Sequence, residues 1–250
     1  MAGLPWQVAW VTGASTGIGR EVAILLASRG VIVAASARSA AKLADLGPGV
    51  HAYPLDVTDA EAVQAVHDRI RAELGDIDLA VLAAGTYRPL HANNFDVANF
   101  VGTNAVNYLG VVHALGTLVP RMRSRGKGHL AWIASVAGYR GLPRAAAYGP
   151  SKAALINLAE SLKPELERNG VTVSLVNPGF VATPLTAQND FPMPFLVTAE
   201  AAAARILAGL ERQRFEIAFP RRFVLIIKLA RLLPYGLYFA LVRRYLTKNK

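Results

Sequence analysis

Short apolar runs, each closed by a turn residue, recur along this chain and alternate with longer stretches of helical period. Residues 7–12, 31–36, 51–55, 77–83, 129–134, 171–177 and 215–219 read as buried strands. Between them, residues 20–29, 59–74, 97–123, 145–168 and 198–209 carry the spacing of amphipathic helices. In the second of these, Ala62, Val63, Val66 and Ile70 form an inward stripe, and a capping-box-like start falls at Thr58 with Glu61 three residues on. Strand and helix alternate six times with no internal boundary. That pattern predicts an α/β fold: one doubly wound parallel sheet with helices on both faces.

Two connections depart from it. The loop from Gly85 through Asn94 is polar and irregular, and His91 within it reads as a solvated loop histidine with no metal-ligand partner at suitable spacing. The segment 183–196 holds three prolines and the apolar Phe191, Met193 and Phe195. It is too long and breaker-rich for a plain connector, so it reads as a mobile substrate lid, with a partner contact as the alternative.

Candidate chemistry follows the strand ends. The first strand runs into Thr12-Gly13-Ala14-Ser15-Thr16-Gly17-Ile18-Gly19 and then a helix. In that context Gly13 permits a tight turn, Gly17 lets backbone approach a pyrophosphate, and Gly19 lets helix pack on strand, with helix N–H groups facing the phosphates. The second strand ends in Ala37-Arg38-Ser39. An acid there would accept hydrogen bonds from the adenosine ribose; Ala37 cannot, whereas Arg38 suits a ribose 2′-phosphate, which favours NADP(H) over NAD(H). Asp56, followed by Val57, stands at the end of the third strand as a candidate adenine contact.

Tyr148 and Lys152 lie four apart on one helix face. An ammonium fixed beside a phenol stabilises the phenolate and moves its pKa of about 10 toward working pH, as general acid catalysis requires.

Taken together, these residues resemble the short-chain dehydrogenases/reductases of standard length, over about residues 8–219. The resemblance rests on TGASTGIG at 12–19, Asp56-Val57, Asn107 in Asn107-Tyr108-Leu109-Gly110, Ser135, Tyr148-x-x-x-Lys152, and Asn177-Pro178-Gly179 with Thr183. Ser135 precedes Tyr148 by thirteen residues, as is usual in the family. One departure is Ala83-Ala84-Gly85, where the family carries Asn-Ala-Gly; the missing Asn is thought to brace the central sheet.

The resemblance implies a Rossmann-like fold and an oxidoreductase that interconverts a carbonyl and an alcohol. Tyr148 would donate the proton to the carbonyl oxygen, and Ser135 would hydrogen-bond the same oxygen. Lys152 would lower the tyrosine pKa and hold ribose hydroxyls, with Asn107 positioning a water that relays protons to it. Gly13, Ser15, Thr16, Gly17, Ile18, Gly19, Arg38, Asp56 and Val57 would bind the phosphate and adenosine end. Ala84, Gly85, Pro178, Gly179, Val181 and Thr183, together with Tyr148 and Lys152, would line the nicotinamide end. The alternatives are an NAD-dependent alcohol dehydrogenase of the same fold and an NADP(H)-binding redox sensor without turnover. Relatives commonly pair through the helices carrying Asn107 and Tyr148, which implies a homodimer or homotetramer.

Charge changes the picture only at the end of the chain. Of the net +10, residues 211–250 contribute +8, from ten Lys/Arg and two Asp/Glu. Basicity so confined argues against a nucleic-acid footprint on a domain face. Residues 1–220 therefore read as the dinucleotide-binding domain and 221–250 as a basic, apolar helical tail. Its longest charge-free run, residues 232–242, holds Pro234 and Gly236 and is too short to span a bilayer. Arg221, Lys228 and Arg231 fall near one side, while Tyr235, Tyr238, Phe239 and Tyr245 beside Arg243-Arg244 suit a headgroup interface. The tail would meet a membrane surface, roof the pocket or join subunits, and the first two suit an apolar lipid-, retinoid- or steroid-like substrate. With no cysteine and no apparent secretory signal in MAGLPWQ, the expected location is cytoplasmic, peripheral to a membrane if the tail binds one.

Overall fold

The computed structural model describes residues 4–90 and 92–248, with the backbone alone for 245–248. His91 and the side chain of Tyr245 lie outside the described residues.

Strand β1 (Val8–Thr12) occupies the centre of the sheet with all five residues buried. Alternate side chains point to opposite faces, so Val8 and Trp10 join one core layer while Ala9 and Val11 join the other. The enclosed Trp10 indole donates to Ser36 Oγ at 2.9 Å, so its own buried N–H is paired. β1 pairs in parallel with β2 (Ile32–Ser36) on one side and β4 (Leu79–Leu82) on the other. Beyond β2 lies β3 (Val50–Ala52), and beyond β4 lie β5 (Gly128–Ile133), β6 (Val171–Pro178) and β9 (Glu216–Phe219), all parallel. The order β3-β2-β1-β4-β5-β6-β9 is the expected doubly wound, Rossmann-like sheet.

Helices α1 (Gly17–Ser28) and α7 (Ala199–Glu211) cover one face, burying Val22, Leu26, Ile206 and Leu210. α3 (Ala60–Leu74), α5 (Gly110–Arg125) and α6 (Tyr148–Glu167) cover the other through Val63, Ile70, Leu118 and Leu155. A short α2 (Ala40–Ala44) follows β2.

The local differences from expectation each have a cause. β3 ends at Ala52, but the amides of Tyr53 and Leu55 still reach the carbonyls of Ala35 and Ala37, and Pro54 between them is tolerated because β3 is an edge strand. The cap of α3 is Asp59, whose carboxylate accepts from Ala62 N at 3.0 Å; Thr58 gives its N–H and hydroxyl to Asp56 and so does not cap. The helix expected over 97–123 is interrupted. α4 (Val97–Asn104) passes through one π turn, Ala105–Leu109, before α5 begins. An inserted residue keeps the apolar period readable while turning Asn107 inward. α6 starts at Tyr148 itself, not at 145.

Segment 183–196 is closed at its base by a two-residue parallel ladder, β7 (Val181–Ala182) against β8 (Val197–Thr198). Within it Phe191 and Met193 are half-buried, while Phe195 and Leu196 are exposed. The tail forms α8 (Arg221–Leu232) and α9 (Tyr235–Lys248), separated at Pro234.

Candidate active site

Chain order reverses direction beside β1, and at such a point the carboxyl ends of the strands diverge to leave a crevice. The crevice here is a cleft of about 870 Å³. Every residue assigned from the sequence lines it except Asn107, which is fully buried behind it.

The glycine turn sets one wall. Gly13 adopts φ +68°, and a Cβ on it would lie 2.6 Å from Ala84 N; a Cβ on Gly19 would lie 2.4 Å from Gly13 O. Only hydrogen at these positions lets α1 settle onto the ends of β1 and β4. Thr16 caps α1 by position but makes no side-chain cap bond. The first N–H groups of the helix therefore remain available beside the cleft, with the positive end of the dipole behind them. This cradle fits a pyrophosphate.

At the ends of β2 and β3 the cleft is lined by Arg38, Ser39, Lys42, Asp56 and Val57. The Thr58 N–H and hydroxyl hold the Asp56 carboxyl below its usual range, and the charge of Arg38 adds to the effect. Val57 is clamped: its carbonyl meets His113 Nδ1 at 2.9 Å, and a Cβ on Gly110 would strike its side chain at 2.7 Å. Lys42 belongs to no motif. Its only signal was position, three residues after the Ser39 hydroxyl that caps α2.

The chemical end is built where β5, β6 and α6 converge. Ser135 follows β5, accepts from Ala137 N at 3.1 Å and donates to Pro178 O at 3.5 Å, and its hydroxyl is near enough to the Tyr148 phenol to favour the phenolate. Lys152, one turn along α6, is buried and donates from Nζ to Ile133 O at 2.7 Å. Asn107 accepts from Thr86 N at 2.7 Å and donates to Thr86 O and Ser151 Oγ, both at 3.0 Å. The site thus joins Ser135, Tyr148 and Lys152 around the cleft. Asn107 acts on it through the backbone after β4, not by facing it.

Asn107 also bears on the altered Ala83-Ala84-Gly85 turn. Thr12 Oγ1 accepts from the amides of Ala83 and Ala84 at 3.1 and 3.3 Å, and Asn107 holds the next residue but one. Between them they fix the end of β4 without an asparagine in the turn.

The electrostatics run against one expectation. Burial pushes the Tyr148 phenol up to about 12; the Ser135 hydrogen bond pulls it down and Tyr87 pushes it up. Burial is the largest cause; the Lys152 Nζ lies 5.5 Å from the ring centroid and is bound to Ile133 O. The lysine is itself pushed down to about 7 by burial.

Tyr87 is the second residue the sequence did not reveal. Its ring meets that of Tyr148 edge-on at 5.1 Å, on the cleft wall, and Gln188 of segment 183–196 donates to its carbonyl at 2.8 Å. Nothing in an irregular polar loop marks such a residue, whose role is set by what folds over it.

A family model described as short chain dehydrogenase matches residues 7–192. The chain belongs to the short-chain dehydrogenase family. An uncharacterized oxidoreductase of Myxococcus xanthus is 38% identical to this short-chain dehydrogenase over 251 residues, covering 98% of this chain and 99% of the relative. That alignment takes in nearly all of the tail, which the family match does not reach. A short chain dehydrogenase of Burkholderia cenocepacia, crystallised in complex with NADP, superposes with a TM-score of 0.84 at 27% identity, covering 96% of this chain and 97% of its own. One from Burkholderia phymatum in complex with NAD gives the same TM-score, 0.84, over 92% of this chain and 94% of its own; at 24% identity that likeness is one of fold. As a family member the chain is an oxidoreductase of the class acting on CH–OH groups.

Proposed function

We propose that this short-chain dehydrogenase is an NADP(H)-dependent oxidoreductase interconverting a carbonyl and an alcohol on an apolar substrate. The observation that carries the reading is the Tyr148 phenol lining the strand-end cleft together with Ser135, with Lys152 one turn behind it. When bound, the nicotinamide dinucleotide supplies or accepts the hydride. The chain's own residues do the rest. The amides of residues 15–19 hold the pyrophosphate at the start of α1, and Arg38 with Lys42 takes the 2′-phosphate. Lys152 and Tyr148 hold the ribose hydroxyls, while Thr183, Val181, Pro178 and Gly179 pack on the nicotinamide end.

Tyr148 gives its phenolic proton to the substrate oxygen, and Ser135 hydrogen-bonds that oxygen as charge develops on it. A phenol pushed up to about 12 stays protonated through neutral pH, the state a reductase's acid needs at the start of the step. Asn107 keeps the turn after β4 in place. Tyr87, Leu185 and Pro184 bound the space left for substrate, and their apolar character is what points to an apolar compound.

We read the enzyme as a homo-oligomer, supported by Phe95, Val97 and Val101, which leave an apolar strip exposed at α4. We read it also as a cytoplasmic protein peripheral to a membrane through residues 221–250. The test is a screen of aldehydes, ketones and alcohols of increasing chain length and ring number, following NADPH absorbance. Turnover rising with apolar bulk supports the reading. Cofactor binding with no turnover on any of them would leave the redox-sensor alternative.

A further inference from the structure

The two tail helices are fixed to the domain on one side and bare on the other. On the inner side of α8, Val224 is buried, Phe223 stacks on Phe180 at 5.4 Å between centroids, and Lys228 pairs with Glu216. Glu216 is itself bound by Tyr139 and by Asn177 Nδ2, which ties α8 to the strand end beside the nicotinamide-lining turn.

At the joint, Arg140 Nη1 donates to the carbonyls of Ala230, Arg231 and Leu233 at 2.7, 2.7 and 2.9 Å. These are acceptors that a helix end leaves open. The same guanidinium covers the Tyr238 ring at 4.0 Å, and the buried Tyr238 donates to Gly141 O. Tyr238 therefore attaches α9 to the domain and is not available to a headgroup layer.

The outer side is uncovered. Leu225, Leu229 and Leu232 make one stripe along α8, exposed by 59, 55 and 79%. α9 exposes Leu237, Phe239 and Leu241 around much of its circumference. Phe195 and Leu196, at the end of segment 183–196, are exposed as well, and the Phe195 ring lies 6.3 Å from that of Phe223. Isolated apolar side chains on a surface need no explanation, but so many exposed on two successive helices mark a contact.

Charge selects the partner. Residues 221–248 hold seven Lys/Arg and no Asp/Glu. Two copies of this face would set like charges against each other, whereas acidic headgroups would neutralise them. Neither helix is long and apolar enough to cross a membrane, and short amphipathic helices with basic flanks lie in the interface plane. We propose that α8 and α9, with the Phe195–Leu196 tip, form a preformed docking surface for an anionic phospholipid bilayer, locked to the catalytic domain by Arg140 and Glu216. The proposal does not depend on which substrate the enzyme reduces, since its readout is partition and not turnover.

The test is flotation of the full chain with phosphatidylcholine vesicles, with and without phosphatidylglycerol. Expected is binding to the anionic vesicles that exceeds binding to the neutral ones and weakens as salt rises. The variant Leu225→Gln/Leu229→Gln/Leu232→Gln should lower the partition coefficient at least about tenfold, with melting temperature and NADPH binding retained. If that variant folds poorly, Arg221→Glu/Arg222→Glu, at two exposed cations, should abolish the preference for anionic vesicles. Failure of the wild type to float, or wild-type partition by the variants, would overturn the proposal. So would a wild-type oligomer that dissociates in the leucine variant without any vesicle binding, which would assign the face to a second copy.

Discussion

The two ends of the cleft are made differently. The end we read as holding the cofactor is backbone: the glycine turn, the start of α1 and the ends of β1, β2 and β4, so closely set that a Cβ on Gly13 or Gly19 would lie 2.6 or 2.4 Å from a main-chain atom. The other end, which we read as the substrate end, is side chains carried on loops: Tyr87 after β4, and Pro184, Leu185 and Gln188 of segment 183–196. Backbone geometry holds one invariant molecule, whereas loop side chains can be exchanged without disturbing the sheet. Changes at the first end should therefore act alike on every substrate, and changes at the second should act substrate by substrate.

The largest expected effect is at the junction of the two. Tyr148→Phe removes the proton donor and should cut turnover by about 10³-fold on all substrates, while NADPH affinity in a fluorescence titration falls only about tenfold or less, the worth of one ribose hydrogen bond. Retained turnover would remove Tyr148 as the acid. Next, Arg38→Asp should weaken NADPH binding by about ten- to a hundredfold, the worth of a charge-assisted contact, while leaving NADH binding nearly unaffected. Equal loss for both cofactors would break the assignment of Arg38 to the 2′-phosphate.

Lys152 supplies a pH test. Its folded pKa is pushed down to about 7, so the free enzyme loses this cation as pH rises past that value. Reductive kcat/KM should fall by up to about tenfold per pH unit above it, and Lys152→Arg should shift that limb upward. The sign for stability is opposite. Between about 7 and 10.5 the unfolded chain holds a proton that the folded chain does not, so unfolding free energy should rise with pH across that window. The smallest effect belongs to the loop end: Tyr87→Leu should change KM by only a few-fold, upward for flat ring substrates and little for short aliphatic ones, with kcat preserved. A uniform loss of kcat would mean that Tyr87 serves Tyr148 and not the substrate.

What was legible in the sequence follows the same division. The seven strands and the Gly13, Ser135, Tyr148 and Lys152 positions could be read because strand period and turn chemistry are local. So is a four-residue helical spacing. The π turn at Asn107 could not be read, since an inserted residue leaves the apolar pattern intact. Nor could the direction of the Tyr148 shift. A spacing of four says that lysine and phenol share a face, but not that burial dominates and the ammonium is bound to Ile133 O. Tyr87 and Arg140 gave no sign because their partners lie 61 and about 90 residues away in the chain.

The ladder of β7 and β8 has an engineering consequence. It sets both ends of a fourteen-residue excursion side by side, Val181 paired with Val197 and Ala182 with Thr198, so the excursion leaves and rejoins the domain at one place. An excursion with a fixed base is a cassette. Residues 183–196 could be cut out and replaced by the corresponding stretch of another short-chain dehydrogenase, transplanting selectivity while the sheet and the glycine turn stay untouched.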